Sequence, residues 1–333
     1  MRAETPDASV VISVKNRSVL LWDCFEGLAA QALGRERFEV VLIDNCSTED
    51  LGPVIERARR ELGLAIRSAR TAEDRGPAPA RNLGASMAAA PVLAFTDSDC
   101  RPDPDWLARG VALFAGPAVA MASGPVLPKP GQQVTFTSKI TFVTRAEHPT
   151  FPTANLFIRR SVFESLGGFN AALSFRDPLD RATECADTDL AWRLIKSGHE
   201  RRFDAAAIVH HEIENLSVPM WLLEGTRLFV LPELVRRHPE LRRELLTGGF
   251  LFYPPAILLY VGLALLAAGA FWNPWLLAAI PVLLLARAVQ RTRTLNPLTL
   301  GAFCGRVLLH VPRMLVMSAA LLYGSIRFRS LVL

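Results

Sequence analysis

The run Val92-Leu93-Ala94-Phe95-Thr96-Asp97-Ser98-Asp99-Cys100 constrains this chain more than any other stretch. Mostly apolar residues lead directly into two acids spaced one apart. An apolar run this short, ending abruptly in polar residues, predicts a buried strand whose carboxyl end opens onto a crevice. In open α/β sheets that edge is where ligands bind. Two carboxylates held there repel each other unless a cation lies between them. Mg²⁺ or Mn²⁺, itself held on a diphosphate, meets that need, because hard cations take oxygen ligands. The same acids also suit a solvated turn before a helix opened by Pro104 and Asp105, since Asp is common at turns and helix starts.

The flanking pattern supports a sheet. Ser9 to Val14 is a short Val/Ile-rich run, Glu39 to Ile43 a second, and Leu64 to Arg67 a shorter third. Between them, Val19–Gln31, Leu51–Leu62 and Pro79–Ala89 carry helical spacing or helix-forming composition. Strands alternating with helices predict an α/β fold, a doubly wound and mainly parallel sheet. Asp44 ends its strand as Asp97 ends the central one. Lys15–Arg17, Asp44 and Asp97–Asp99 are therefore expected along one sheet edge. No Walker loop is present, and no Gly-x-Gly-x-x-Gly follows the first strand, so a glycine cradle for phosphates is not expected.

Charge divides the chain. Residues 236–333 hold 11 Arg, no Lys and 2 acids, a balance of +9, while residues 1–235 carry −4. The basic balance therefore belongs to the C-terminal third and does not describe a nucleic-acid-binding face on the first part. Arginines interleaved with long apolar runs point to a membrane. Five scattered cysteines without a CxxC pair argue against a disulfide framework or a zinc site. The first 18 residues lack a charged-then-apolar signal pattern, so the N-terminal part is expected in the cytosol.

Four segments in order resemble the family 2 glycosyltransferases of the GT-A fold, over roughly residues 8 to 230. Val10-Val11-Ile12-Ser13-Val14-Lys15-Asn16-Arg17 is similar to the opening strand, and Val41-Leu42-Ile43-Asp44-Asn45-Cys46-Ser47 to the nucleotide-binding turn. Gly76 to Gly84, containing Ala80-Arg81-Asn82, resembles the Gly-x-x-x-Ala-Arg-Asn-x-Gly segment, and Asp97-Ser98-Asp99 the Asp-x-Asp motif. The resemblance implies that Lys15, Asn16, Arg17, Asp44, Asn45, Arg81, Asn82 and Asp97 bind a nucleotide-diphosphate sugar. Within that set Asp44 would read the base and Asp97 the ribose and metal region. Asp99 would anchor Mg²⁺ or Mn²⁺. Ser13 and Lys15 stand where the family usually has Pro and an aromatic residue, so the resemblance does not name the nucleotide.

Farther on, residues 125–153 are Pro-rich and least legible; in the family such a region shapes the acceptor side. His148, within it, reads as a surface or structural histidine. Arg176–Cys185 is polar and expected to be a loop over the site. Asp187 begins a run in which Leu190, Arg193 and Leu194 fall on helical spacing. Acids at that helix start would serve as N-caps with no chemistry. The family pattern Glu-Asp-x-Asp/Glu-Leu-x-x-Arg instead implies that Asp187 is the catalytic base. Ala186 replaces the usual Glu, and Glu184 is the nearby acid that would compensate. Ile208-Val209-His210-His211 ends a strand, and either histidine would be a metal ligand or a buried structural residue, with His211 the candidate ligand. Arg227 lies where processive members carry Gln-x-x-Arg-Trp, but the Gln and Trp are missing, which speaks against a processive synthase. It is a candidate diphosphate contact or a solvated helix residue.

Phe250–Trp272 is 23 residues without a charge, and about 20 suffice to span the hydrocarbon. Trp275 to Gln290 is the expected second half of a membrane hairpin, with Arg clusters on both flanks in the cytosol. Residues 236–249 form a basic linker, and 291–333 an amphipathic interfacial helix or a third crossing.

The expectation is a membrane-anchored transferase at the inner membrane with its catalytic domain on the cytosolic side. It moves one sugar, with inversion, to a hydroxyl of a lipid-linked or saccharide acceptor. A sugar nucleotidyltransferase and a non-catalytic nucleotide-sugar-binding scaffold are the alternatives.

Overall fold

The computed structural model describes residues 5–140, 143–254, 256–294 and 296–333. The chain divides into two compact units, Met1–Leu216 and Ser217–Leu333.

The first unit opens with β1 (Ala8–Val14), α1 (Ser18–Ala29), β2 (Phe38–Asp44), α2 (Gly52–Arg57), β3 (Ile66–Arg70), α3 (Pro77–Met87) and β4 (Val92–Asp97). It continues with β5 (Cys100–Pro102), α4 (Trp106–Ala112), β6 (Val119–Ser123), β7 (Val126–Pro128), β8 (Ser138–Lys139), β9 (Leu156–Arg159) and α5 (Arg160–Ser165). The hairpin β10 (Ser174–Arg176) and β11 (Ala182–Glu184) follows, then α6 (Ala186–Lys196), β12 (Glu200–Phe203), β13 (Val209–His211) and β14 (Glu214–Asn215).

Seven strands form the main sheet in the order β12-β6-β9-β4-β1-β2-β3. All pairings are parallel except those of β9, which runs antiparallel to β4 and β6. β1 and β2 are apolar almost throughout because both faces of the sheet are covered. Gly84 brings α3 onto the sheet, since a Cβ there would lie 2.5 Å from Val11 Cγ1 and 3.2 Å from Ile43 Cγ1.

Two expectations for the first unit shift. The third strand lies at Ile66–Arg70 rather than Leu64–Arg67. Its register matches Arg70 to Asp44, and its other residues are largely exposed, so apolar content marked it poorly. The polar stretch expected as a loop is the β10–β11 hairpin. Asp177 organises its turn: Oδ1 accepts from the amides of Leu179 and Arg181 at 2.9 Å each, and Oδ2 from Arg181 Nε at 2.9 Å.

The second unit is helical: α7 (Val218–Leu223), a 3₁₀ stretch Glu224–Val230, α8 (Leu231–Arg237), α9 (Leu241–Leu245), α10 (Ala256–Phe271), α11 (Ala279–Thr292) and α12 (Pro297–Phe328). The division at Leu216–Ser217 precedes the expected one at 235 because the 3₁₀ stretch and α8 pack on α12. Gly324 allows that approach, since a Cβ there would lie 2.1 Å from the Phe229 carbonyl oxygen. Among the described residues two helices, Pro274–Thr292 and Pro297–Phe328, are long and apolar enough to cross a membrane by length and composition. The uncharged stretch from Phe250 is helical over 16 residues, Ala256–Phe271, a shorter run than its lack of charge implied. The last segment is a single helix of 32 residues that runs through Pro312.

Candidate active site

The parallel register places Asp44 opposite Val14 and Asp97 opposite Ser13, so both acids end strands flanking β1 at the same sheet edge. Beyond β1 the chain turns through two left-handed residues, Asn16 (φ 60°) and Arg17 (φ 68°). Asn tolerates that conformation, and its side chain fixes the turn: Asn16 Oδ1 accepts from the amides of Thr48 (2.8 Å) and Glu49 (3.3 Å). The Asn16 amide donates to Ser47 Oγ at 2.7 Å. Arg17 is thereby aimed at Asp99 and ion-pairs with its Oδ2.

Asp99 is 6% exposed. Pairing of β5 with β13 sets His211 opposite Cys100, bringing His211 Nε2 to 3.5 Å from Asp99 Oδ1. The Glu212 amide donates to the Asp99 carbonyl at 3.0 Å. His210 is directed elsewhere, its Nε2 lying 2.9 Å from Asp103 Oδ1. Ligand atoms of Asp97, Asp99, Cys100 and His211 lie within 4.8 Å of one another. Two carboxylates and an imidazole suit a hard or borderline divalent ion, while the buried Cys100 thiol, pushed well up by burial, does not. Positive charge is already required here: Arg17 supplies it to Asp99 and Arg81 to Asp97.

Arg81, on α3, is buried between two carboxylates. Its Nη2 lies 2.8 Å from Asp97 Oδ1 and its Nη1 2.5 Å from Glu184 Oε1. Burial would lower the guanidinium's pKa, but Glu184 and Asp97 together raise it. Glu184 Oε2 accepts from the Ala78 amide at 3.0 Å, in the first turn of α3. Asn82, one residue on, spends both polar ends on Phe169: Nδ2 donates to its carbonyl (2.8 Å) and Oδ1 accepts from its amide (2.9 Å). Its side chain thus holds the turn that Gly167 and Gly168 form with positive φ.

Asp187 stands in the first turn of α6. Its Oδ1 accepts from the Thr188 amide at 2.8 Å, and no described residue donates to Oδ2. Burial, then the nearby Glu184 charge, push its carboxyl up to about 7. The Thr188 amide and Arg81 pull the other way. α6 is tied to the Pro-rich stretch by Thr188 Oγ1 to the Thr150 carbonyl (2.8 Å) and Trp192 Nε1 to the Pro149 carbonyl (2.9 Å). His148 Nδ1 lies 2.7 Å from Thr150 Oγ1.

At the nucleotide-side edge, Asp44 Oδ1 accepts from the Ser47 amide (2.8 Å) and Oδ2 from Arg70 Nη1 (3.1 Å). Lys15, Asn45 and Arg176 all converge on Asp74, with Lys15 Nζ at 2.7 Å, Asn45 Nδ2 at 2.9 Å and Arg176 Nη2 at 3.3 Å. Against its burial, Lys15 above all, with the Gly76 amide and Asn45, holds Asp74 below the usual carboxylate range. Asp74 was not among the expected site residues, and Glu184 was expected only as the acid that would compensate for Ala186. Asp74 lies in the polar segment between β3 and α3, where no periodicity marks it. Arg227 belongs to the second unit, its Nε 3.4 Å from Glu224 Oε1.

A mainly parallel sheet whose carboxyl edge gathers Asp44, Asp97 and Asp99 beside His211 defines a glycosyltransferase of the GT-A fold. Consistent with that fold, the mannosyltransferase PcManGT from Pyrobaculum calidifontis, solved with GDP-Man and Mn²⁺, superposes with a TM-score of 0.58 at 19% identity, over 97% of this chain and 87% of that one. The model of Glycosyl transferase family 2 matches residues 9–175, and the chain belongs to that family. The Haloferax volcanii glycosyltransferase AglE is 30% identical over 242 residues, 68% of this chain and 78% of AglE. The pre-mycofactocin glycosyltransferase of Mycobacterium tuberculosis is 25% identical over 219 residues, covering 62% of this chain and 43% of that protein.

Proposed function

We propose that this glycosyltransferase moves one sugar, with inversion, from a nucleotide-diphosphate donor to an acceptor hydroxyl. The observation that carries the reading is Asp187: a carboxylate with a free oxygen, pushed up to about 7, that feels the charges of Glu184, Arg81 and Asp97. A base near neutrality is matched to removing a hydroxyl proton. Asp187 takes the proton of the acceptor hydroxyl, whose oxygen attacks the sugar carbon in line as the bond to the diphosphate breaks. Asp44, Asn45, Lys15, Asn16 and Asp74 line the edge that holds the nucleoside. Asp97, Asp99 and His211 would hold Mn²⁺ or Mg²⁺, which supplies charge stabilisation for the leaving diphosphate. Arg17 neutralises Asp99 and is placed to follow the diphosphate. A donor-bound metal fits with the Mn²⁺ and GDP-Man named for PcManGT.

The C-terminal unit anchors the enzyme to the membrane, with its Arg clusters and the catalytic unit on the cytosolic side. Trp272 and Trp275, 88% and 85% exposed, suit a membrane interface. The acceptor is then lipid-linked or otherwise near the membrane.

The test is nucleoside diphosphate release by the full-length protein in detergent, with UDP-, GDP- and dTDP-sugars and with Mn²⁺ or EDTA. Metal-dependent release from one donor is expected. Pyrophosphate as product would indicate nucleotidyl transfer. Donor binding without turnover, even with membrane lipid extract added, would overturn the catalytic reading.

A further inference from the structure

The family motif places a carboxylate directly before the base, and here that position is Ala186, fully buried in the core. An acid at 186 would have to be buried with it. Three residues before the base, Glu184 ends the second strand of the β10–β11 hairpin. The antiparallel register sets it opposite Ser174, and the hairpin delivers it across the top of α3.

We propose that Glu184 is the positioning residue for the base. It takes over from the missing acid at 186 and acts through Arg81, the guanidinium it shares with Asp97.

Three observations carry this. Glu184 has one oxygen on each of two partners, the Ala78 amide at 3.0 Å and Arg81 Nη1 at 2.5 Å. It therefore completes the start of α3, a helix with no side-chain cap of its own, and locks the arginine one turn on. Arg81 has no other route to neutrality: it is 6% exposed, its two Nη atoms are spent on Glu184 and Asp97, and its Nε is buried without a partner. One guanidinium thus serves two carboxylates, which leaves net negative charge beside Asp187. The charged groups facing Asp187 are Glu184 from β11, Arg81 from α3 and Asp97 from β4. Glu184 favours the protonated base and Arg81 the ionised one. Burial is the largest influence raising the Asp187 carboxyl, and the pair tunes it from there, Glu184 upward and Arg81 downward, while Arg81 joins Glu184 to the carboxylate on the donor side.

The inference rests on Asp187 being the base, so the test reads its ionisation directly as well as through turnover. Full-length protein labelled with ¹³C at the Asp side-chain carboxyl is titrated by NMR, with Asp187→Asn assigning the signal, and the pH profile of donor turnover is recorded alongside. Glu184→Gln removes the like charge, so the Asp187 titration moves down by about one pH unit, and the acid limb of kcat/KM moves with it. Arg81→Gln removes the opposite charge and moves the titration upward. Opposite displacements support the proposal; a structural role alone would lower stability without moving the titration. An Asp187 titration unchanged in a folded Glu184→Gln protein overturns it. Should that variant not fold, an unchanged or downward shift in Arg81→Gln overturns it equally. Absence of turnover with the two shifts intact would count against the transferase reading of Asp187, not against the Glu184–Arg81 arrangement.

Discussion

Asp99 Oδ1 lies 3.5 Å from His211 Nε2, although Asp99 lies in the turn between β4 and β5 and His211 ends β13. The contact exists because β13 runs antiparallel beside β5, with His211 opposite Cys100. The imidazole therefore faces the acid that follows the central strand.

Metal binding should depend on both partners. Asp99→Ala and His211→Ala are each expected to weaken Mn²⁺ binding by about tenfold or more, measured by calorimetry or by the free-Mn²⁺ signal in electron paramagnetic resonance. His210→Ala, whose imidazole is turned toward Asp103, should leave Mn²⁺ binding unchanged.

Removing the base should separate chemistry from binding. Asp187→Asn is expected to lower the transfer rate by roughly 10²-fold or more while donor affinity is retained. Initial rates alongside calorimetric binding of the nucleoside diphosphate check this. Unchanged turnover would exclude Asp187 as the base.

The same carboxyl should make activity and stability depend on pH in opposite senses. With its pKa pushed up to about 7, Asp187 is protonated below that pH, and kcat/KM should fall as the medium is acidified. Stability runs the other way. The unfolded carboxyl loses its proton near 3.8 and the folded one only near 7, so the folded state holds the extra proton between these values. This group's contribution to stability therefore declines as pH rises from about 4 to 7 and stays at its lower level above that. Asp187→Asn lacks the penalty. Its thermal midpoint should rise relative to the parent protein across that interval, then keep a constant lead, as a thermal-shift series would show.

Packing beneath the site should be equally sensitive. A Cβ at position 84 meets Val11 at 2.5 Å, so α3 has to move off the sheet to admit one. Gly84→Ala is expected to cost about 1–3 kcal/mol, read as a lowered unfolding midpoint. Since Arg81 rides on the same helix, donor affinity should fall with it.

The strands leading to the site were legible because apolar runs bounded by polar residues mark buried strands wherever both faces are covered. That held for β1, β2 and β4, whose ends place Asp44 and Asp97. It failed for β3, an edge strand with little buried side chain, and for the β10–β11 hairpin, whose turn is organised by the Asp177 carboxylate rather than by apolar alternation. Asn82 shows a further gap: its place in a recognised segment did not reveal that its amide is bonded to Phe169.

By itself, then, the order of residues determined the alternating α/β fold, the family, the acids at the strand ends and the apolar C-terminal segments, because each depends on local period and composition. Tertiary structure decided which side chains meet. His211 reaches Asp99 through the β5–β13 pairing, Glu184 reaches Arg81 from the hairpin, and Lys15 and Arg176 close on Asp74. These partners lie far apart in the chain, and only the packed sheet edge, where burial makes an unpaired charge costly, brings them together.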